Sequence, residues 1–135
     1  MRYVAAASPG FVSRYFEVGV GPQGLALAPS LEFNAKDTLQ TRWVQAFCGQ
    51  HVELPKHTLP SSTAFVTAAL AGMGWGMLPD ALAAPHLSSG TLVELMPGTP
   101  LDVPLHWQQA RATSAWLDGL TRVVLAAARE ALAQA

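Results

Sequence analysis

The chain is poor in cysteine and in charge, and each shortage argues against a class of protein. Cys48 is the only cysteine among the 135 residues, so an internal disulfide framework is excluded and a reducing compartment is the default. Charged residues make up 13% of the chain and the formal net charge is −1. A free-standing nucleic-acid-binding domain normally carries a basic face. The composition therefore argues against direct binding of DNA or RNA by this chain.

Long hydrophobic runs are also missing. No uninterrupted apolar segment approaches the roughly 20 residues that a helix needs to span a bilayer. The apolar run that follows Met1 is too short for a secretory signal peptide and is better explained as a buried strand. Half of the residues are hydrophobic, which is enough to build a core. We therefore expect a soluble, cytoplasmic protein consisting of one domain or part of one, with no membrane partner.

The usual motifs of catalysis and metal binding are not found. No serine lies in a Gly-x-Ser-x-Gly pattern, which would mark a nucleophile elbow. Cys48 falls at the predicted C-terminal end of a helix, where the helix dipole disfavours a thiolate. His51 and His57 are separated by Pro55 and do not share one face of a helix, as a metal-binding pair would. We expect no enzyme, no metal and no cofactor.

Hydrophobic periodicity and turn residues predict alternating strands and helices. The predicted strands are Arg2–Ala7, Ser30–Asn34, His57–Leu59, Trp75–Leu78, Leu92–Leu95 and Val103–Gln109. The predicted helices begin at Ser8, at Asp37 or Thr38, at Ser61, near Ala81 and at Thr113 or Ser114, and the fourth of them ends before Pro85. This alternation is typical of an α/β domain with a mainly parallel sheet.

The stretch from Pro60 to Pro79 is the most suggestive chemically. Its helix begins with the hydroxyl cluster Ser61-Ser62-Thr63 and has no acidic residue in the first turn, so its N–H groups and dipole could hold an anion. An ordinary helix cap explains the same residues. Ser8 is a second candidate of the same type. The glycines at 72, 74 and 76 follow a helix and precede a strand, which is the reverse of the order in a dinucleotide-binding loop.

Several motifs, taken in this order, resemble those of the effector-binding domain of LysR-type transcription regulators. The motifs that carry the resemblance are Gly72-x-Gly74-Trp75-Gly76-Met77-Leu78-Pro79, Ser8-Pro9-x-Phe11, Phe33-Asn34-Ala35-Lys36-Asp37, Ser61-Ser62-x-Ala64-Phe65-Val66 and Ser89-Gly90-x-Leu92-Val93-Glu94-Leu95. The resemblance covers nearly the whole chain.

The resemblance implies a fold like that of type 2 periplasmic binding proteins, with two α/β lobes and a ligand cleft between them. Residues 1–100 would form the second lobe, and residues 101–135 would supply the return strand and C-terminal helix of an incomplete first lobe. The family's N-terminal winged helix-turn-helix is absent from this chain. DNA would be bound only through that domain, and we expect a homo-oligomer.

The resemblance also implies a site. In the family the two hydroxyl-rich helix starts face the cleft, so Ser61, Ser62 and Ser8 would meet the carboxylate of a small effector. The likeness is closest to members that respond to basic amino acids, such as lysine or arginine. Those members have acidic side chains at the positions of Asn34 and Asp37, and Asn34 departs from that pattern. The alternative function is that of a solute-binding protein of a transport system with the same fold.

Overall fold

The computed structural model describes residues 1–108 and 114–132. The chain divides into two compact units. The larger unit is Tyr3–Leu101, and the smaller unit combines Met1–Arg2 with Asp102–Ala135. The α/β class predicted from the sequence is confirmed. Its strands are β1 (Arg2–Ala7), β2 (Ser30–Glu32), β3 (Lys56–Thr58), β4 (Gly76–Pro79), β5 (Val93–Glu94) and β6 (Leu101–Asp102). Its helices are α1 (Pro9–Tyr15), α2 (Pro22–Leu27), α3 (Leu39–Cys48), α4 (Ser62–Leu70), α5 (Asp80–Ser89) and α6 (Ser114–Ala131).

The strand pairing is mixed, whereas the sequence predicted a mainly parallel sheet. Strand β1 lies between β4 and β5 and is antiparallel to both, and β6 also pairs with β1. Strands β2 and β3 are parallel, and a parallel bridge joins Ser30 to Trp75 just before β4. Strands β2 to β5 therefore run in one direction and β1 opposes them. Alternating helices predict parallel neighbours only for strands joined by a single crossover, and β1 is paired with strands from much later in the chain.

Two buried clusters show that helices cover both faces of this sheet. One cluster contains side chains of α1, α2 and α3 together with Met77, whereas the other contains side chains of α4 and α5 together with Leu78. Strand β1 alternates in the same way, with Ala5 in the first cluster and Val4 in the second. This is the period of two expected for a strand that is buried on both faces.

The predicted serine caps of α1 and α4 are confirmed. The Ser8 hydroxyl accepts a hydrogen bond from the Phe11 N–H at 3.4 Å, and Pro9 occupies the first turn. The Ser61 hydroxyl accepts from the Ala64 N–H at 3.3 Å. In both helices the side chain satisfies one of the N–H groups that a first turn leaves without a helical partner.

Two element boundaries differ from the predictions. Helix α5 continues through Pro85 to Ser89. Pro85 has no N–H to donate to the Ala81 carbonyl, but Ala81 is exposed, so water can bond to that carbonyl and the helix tolerates the proline. The last strand is only Leu101–Asp102, and residues 103–108 are not part of a strand. Pro104 has no N–H for a ladder, and the Leu105 and Trp107 side chains are exposed. Gln109 and the predicted cap Thr113 lie outside the described residues.

In the smaller unit, α6 exposes an apolar stripe. Trp116, Leu120 and Val123 are 89%, 52% and 67% exposed and recur at the spacing of one helix face. The neighbouring face is half-buried, and Thr121 on that face accepts a hydrogen bond from the Trp107 indole at 3.2 Å. We call the exposed residues the α6 stripe.

The smaller unit also contains a bidentate ion pair whose strength should depend on pH. The Arg2 guanidinium donates to both Asp102 carboxylate oxygens, at 3.0 and 2.9 Å, and the hydrogen bond from Arg2 lowers the pKa of Asp102. A carboxyl whose pKa is depressed by folding stabilises the fold above its unfolded pKa, and this contribution is lost as the pH falls through the folded pKa. We therefore expect Asp102→Asn to lower the thermal midpoint at pH 7, and the difference from wild type to vanish at acid pH. Thermal unfolding monitored by circular dichroism at a series of pH values measures this; a difference that is constant with pH would contradict it.

Candidate functional site

A groove of about 360 Å3 lies in the larger unit. Its apolar and aromatic lining comes from Tyr3, Phe33, Leu39, Phe65, Met77 and Pro79, and its polar lining comes from Asn34, Lys36, Asp37 and Ser62. A mostly apolar concave surface with a few polar groups is typical of a site for a small molecule.

Four parts of the fold meet at this groove. Tyr3 on β1 is paired in register with Pro79 on β4, so adjacent strands supply one part of the lining. Helix α4 supplies Ser62 and Phe65 from its first turn. Met77 also comes from β4, and the segment 33–39, which runs from the end of β2 to the first residue of α3, supplies the remaining lining residues.

The start of α4 brings hydrogen-bond donors to the groove. Ser61 is the cap, and its hydroxyl is bonded to the N–H of Ala64. Ser62 is the first helical residue, is exposed and lines the groove, and the first turn contains no acidic residue. The first N–H groups of a helix have no partner inside it, and together with the helix dipole they favour a negative charge. The carboxylate of a ligand beside Ser62 would meet these donors.

The oxygen atoms of Asn34 and Asp37 are engaged within their own segment. The Asn34 Oδ1 accepts from the Lys36 N–H at 2.8 Å. The Asp37 carboxylate accepts from the Phe33 N–H at 2.8 Å and from the Leu39 N–H at 3.1 Å. Within the described part of the chain, neither the Asn34 amide nitrogen nor the Lys36 ammonium makes a hydrogen bond or an ion pair, so both are donors available to a ligand in the groove.

The structure brings together three of the five predicted site residues. Ser62, Asn34 and Asp37 line one groove, whereas Ser61 and Ser8 are helix caps that are not part of its lining. Whether these residues bind a ligand stays a prediction.

Several lining residues could not be identified from the sequence. Tyr3 and Met77 lie on strands, where apolar residues indicate only burial, and nothing local marks them as part of a groove. Lys36 was the one with a usable signal, since it lies inside the motif Phe33-Asn34-Ala35-Lys36-Asp37 that contributed to the family resemblance.

Within residues 1–108 and 114–132, no group of three or more His, Cys, Asp or Glu side chains is arranged to hold a metal ion. Over the same residues, no helix combines the length and apolar character needed to cross a membrane. Burial raises the pKa of the Cys48 thiol, which keeps it in the protonated, less reactive form.

Comparison with known proteins identifies the family. Residues 1–133 match the LysR substrate binding domain. The HTH-type transcriptional regulator ArgP of Pseudomonas aeruginosa is 39% identical over 132 residues, which are 98% of this chain and 44% of the relative. The chain thus spans less than half the length of this curated relative.

Solved structures agree with this match. The C-terminal domains of a LysR family protein from Agrobacterium tumefaciens superpose with a TM-score of 0.98 at 52% identity, covering 100% of this chain and 65% of that one. Full-length LysG from Corynebacterium glutamicum with bound effector Arg superposes with a TM-score of 0.83 at 36% identity, covering 99% of this chain and 46% of that one. The predicted resemblance and the fold like that of type 2 periplasmic binding proteins are confirmed. The chain belongs to the LysR substrate-binding domain family.

Proposed function

We propose that this chain is the effector-sensing domain of a LysR-type transcription regulator and that a small ligand, an amino acid, bound in the groove controls DNA binding. The observation that carries the proposal is the groove itself, where the start of α4 and the segment 33–39 face one apolar-lined space. DNA would be bound through a separate winged helix-turn-helix domain, in a cytoplasmic homo-oligomer. The curated relative is named as a transcriptional regulator, which favours this function over solute transport and over an enzyme.

The effector we propose is lysine or arginine. Its carboxylate would be bound by the Ser62 hydroxyl and the N–H groups at the start of α4, and its aliphatic chain would pack against the apolar lining. Asn34 and Asp37 would shape the opposite part of the groove, and Ser61 and Ser8 would hold their helix starts in place. The bound Arg of the C. glutamicum relative supports an amino acid of this class.

The proposal predicts that the full-length protein binds lysine or arginine and that Ser62→Ala weakens this binding. A hydrogen bond to a charged group contributes about 1.5–3 kcal/mol, so the loss should be roughly ten- to a hundredfold in affinity. Isothermal titration with each amino acid measures this. Ser13→Ala is the matched control, because Ser13 is an exposed serine of α1 outside the groove lining.

Two outcomes would count against the proposal. Absence of binding by the wild-type protein would remove the proposed effectors. Undiminished binding by the double variant Ser61→Ala, Ser62→Ala would show that the site is assigned to the wrong place, even if the effector is right.

We also propose that residues 1–100 are the second lobe of a two-lobed domain and that residues 101–135 supply the return strand and C-terminal helix of the first lobe. The α6 stripe supports this, since an apolar face with this exposure is normally covered by other protein. The greater length of the curated relative is consistent with further chain that could cover it.

A further inference from the structure

One short segment supplies half of the groove lining. Ten residues line the groove, and five of them belong to the segment 33–39: Phe33, Asn34, Lys36, Asp37 and Leu39. Most of this segment lies between the end of β2 and the start of α3 and has no regular secondary structure. Its shape therefore cannot come from a strand ladder or from helical bonds and must come from local contacts.

Asp37 makes contacts at both ends of the segment. One carboxylate oxygen accepts from the Phe33 N–H at 2.8 Å, and the other accepts from the Leu39 N–H at 3.1 Å. Bonds from N–H groups to an ionised carboxylate are stronger than bonds between neutral groups. The two bonds hold the first and last residues of the segment to one side chain, and both of those residues line the groove.

Gln40 holds the same carboxylate from the other side. Its side chain is 3% exposed, and its amide nitrogen donates to the Leu31 carbonyl at 2.5 Å and to the Asp37 carboxylate at 3.4 Å. A buried amide must be hydrogen-bonded, so its position is fixed by the strand β2 to which it is bonded. Gln40 thereby connects the end of the sheet to Asp37.

We infer that Asp37, held by Gln40, is a positioning residue that sets the shape of the effector groove through the N–H groups of Phe33 and Leu39. Its oxygens already accept three hydrogen bonds inside the protein, out of the about four that a carboxylate can accept, so the inference assigns Asp37 to holding the segment and not to an ionic contact with a cationic effector. Selectivity for a basic side chain would then have to come from another part of the site. This inference rests on the proposed function, since it concerns the role of a residue in effector binding.

A pair of ligands separates positioning from ionic contact. Norleucine has the backbone and aliphatic chain of lysine but no terminal ammonium group. In the full-length protein, Asp37→Ala should weaken the binding of lysine and norleucine by the same factor, about tenfold for the loss of a charge-assisted bond. Asp37→Asn should have a smaller effect, because an amide oxygen can still accept one of the bonds. Gln40→Met, which keeps the size of the side chain, should also weaken both ligands equally.

Glu17→Ala is the control for the loss of a negative charge, and two results would contradict the inference. Glu17→Ala removes the same charge from an exposed residue outside the groove lining and should change neither affinity. A loss confined to lysine in Asp37→Ala and Asp37→Asn would assign Asp37 an ionic contact and overturn the inference. Unchanged affinity for both ligands, in variants that fold, would overturn it too.

A measurement without ligand separates this inference from the proposed function. Hydrogen exchange of the Phe33 and Leu39 amides should be faster in Asp37→Ala than in wild type, and the Gln40→Met variant should show the same change to a smaller extent. If the wild-type protein binds neither lysine nor norleucine, the proposed effector class fails, and the exchange data alone decide whether Asp37 holds the segment. Unchanged protection of both amides would show that it does not.

Discussion

Replacing Trp75 by alanine is expected to lower the free energy of unfolding by about 3–5 kcal/mol, the range for large-to-small changes of a buried aromatic residue. Trp75 is fully buried in the cluster that contains Trp43, and the two ring centroids are 5.4 Å apart. The backbone bonds of Trp75 to Pro29 and Leu31 do not involve its side chain, so they hold the chain in place around the cavity. Equilibrium denaturation by urea measures the change, and a loss below about 1 kcal/mol would contradict this account of the core.

A second pair of variants tests what the indole nitrogens contribute. The Trp75 Nε1 is buried without a hydrogen-bond partner among the described residues, whereas the Trp43 Nε1 donates to the Thr99 carbonyl at 2.9 Å. Changing Trp75 to phenylalanine removes an unsatisfied donor, but changing Trp43 to phenylalanine breaks a bond and leaves an acceptor without its partner. We therefore expect Trp43→Phe to cost about 1 kcal/mol more than Trp75→Phe in the same denaturation experiment. Equal costs, or the reverse order, would mean that the Trp75 nitrogen is satisfied.

The parts of the fold that depend on neighbouring residues could be predicted from the sequence. Ser8 and Ser61 were expected to cap α1 and α4, and they do so by bonds to residues three positions ahead. Helix α3 ends at Cys48 because Gly49 follows with a positive φ of 70°, a conformation that glycine adopts without strain. Each of these features is decided within one turn of helix.

The parts that depend on distant residues could not be predicted. The sequence gives no indication that β1 inserts between β4 and β5, because that order is set by the packing of both sheet faces and not by the residues of β1. The groove combines Tyr3 with Met77 and with the segment 33–39, which are far apart in the chain. Gln40 is a further case, since a polar residue in an amphipathic helix is normally expected on the exposed face, and here its buried amide is used to hold Asp37.

Gly74→Ala is expected to destabilise the protein by about 1–3 kcal/mol, the usual cost of forcing an extra methyl group into a packed site. A Cβ at this position would lie 2.8 Å from the Leu31 Cδ2 and 2.9 Å from the Pro29 carbonyl oxygen. Leu31 is fully buried, and the Pro29 oxygen is held by the Trp75 N–H at 3.1 Å, so neither neighbour can move freely. Urea denaturation of the variant and of the wild type measures the difference.

Gly10 offers the matched control for this change. A Cβ at Gly10 would meet no atom within 4 Å, and the residue lies in the first turn of α1, where alanine is favoured over glycine. Gly10→Ala should therefore be neutral or stabilise the protein by up to about 0.5–1 kcal/mol. If Gly74→Ala were as mild as Gly10→Ala, the close approach of Pro29 and Leu31 to Gly74 would not be what requires glycine there. Because Gly74 is not among the residues that line the groove, a folded Gly74→Ala protein should keep the effector affinity of the wild type, and the Gly-x-Gly part of the family motif would then serve packing and not ligand contact.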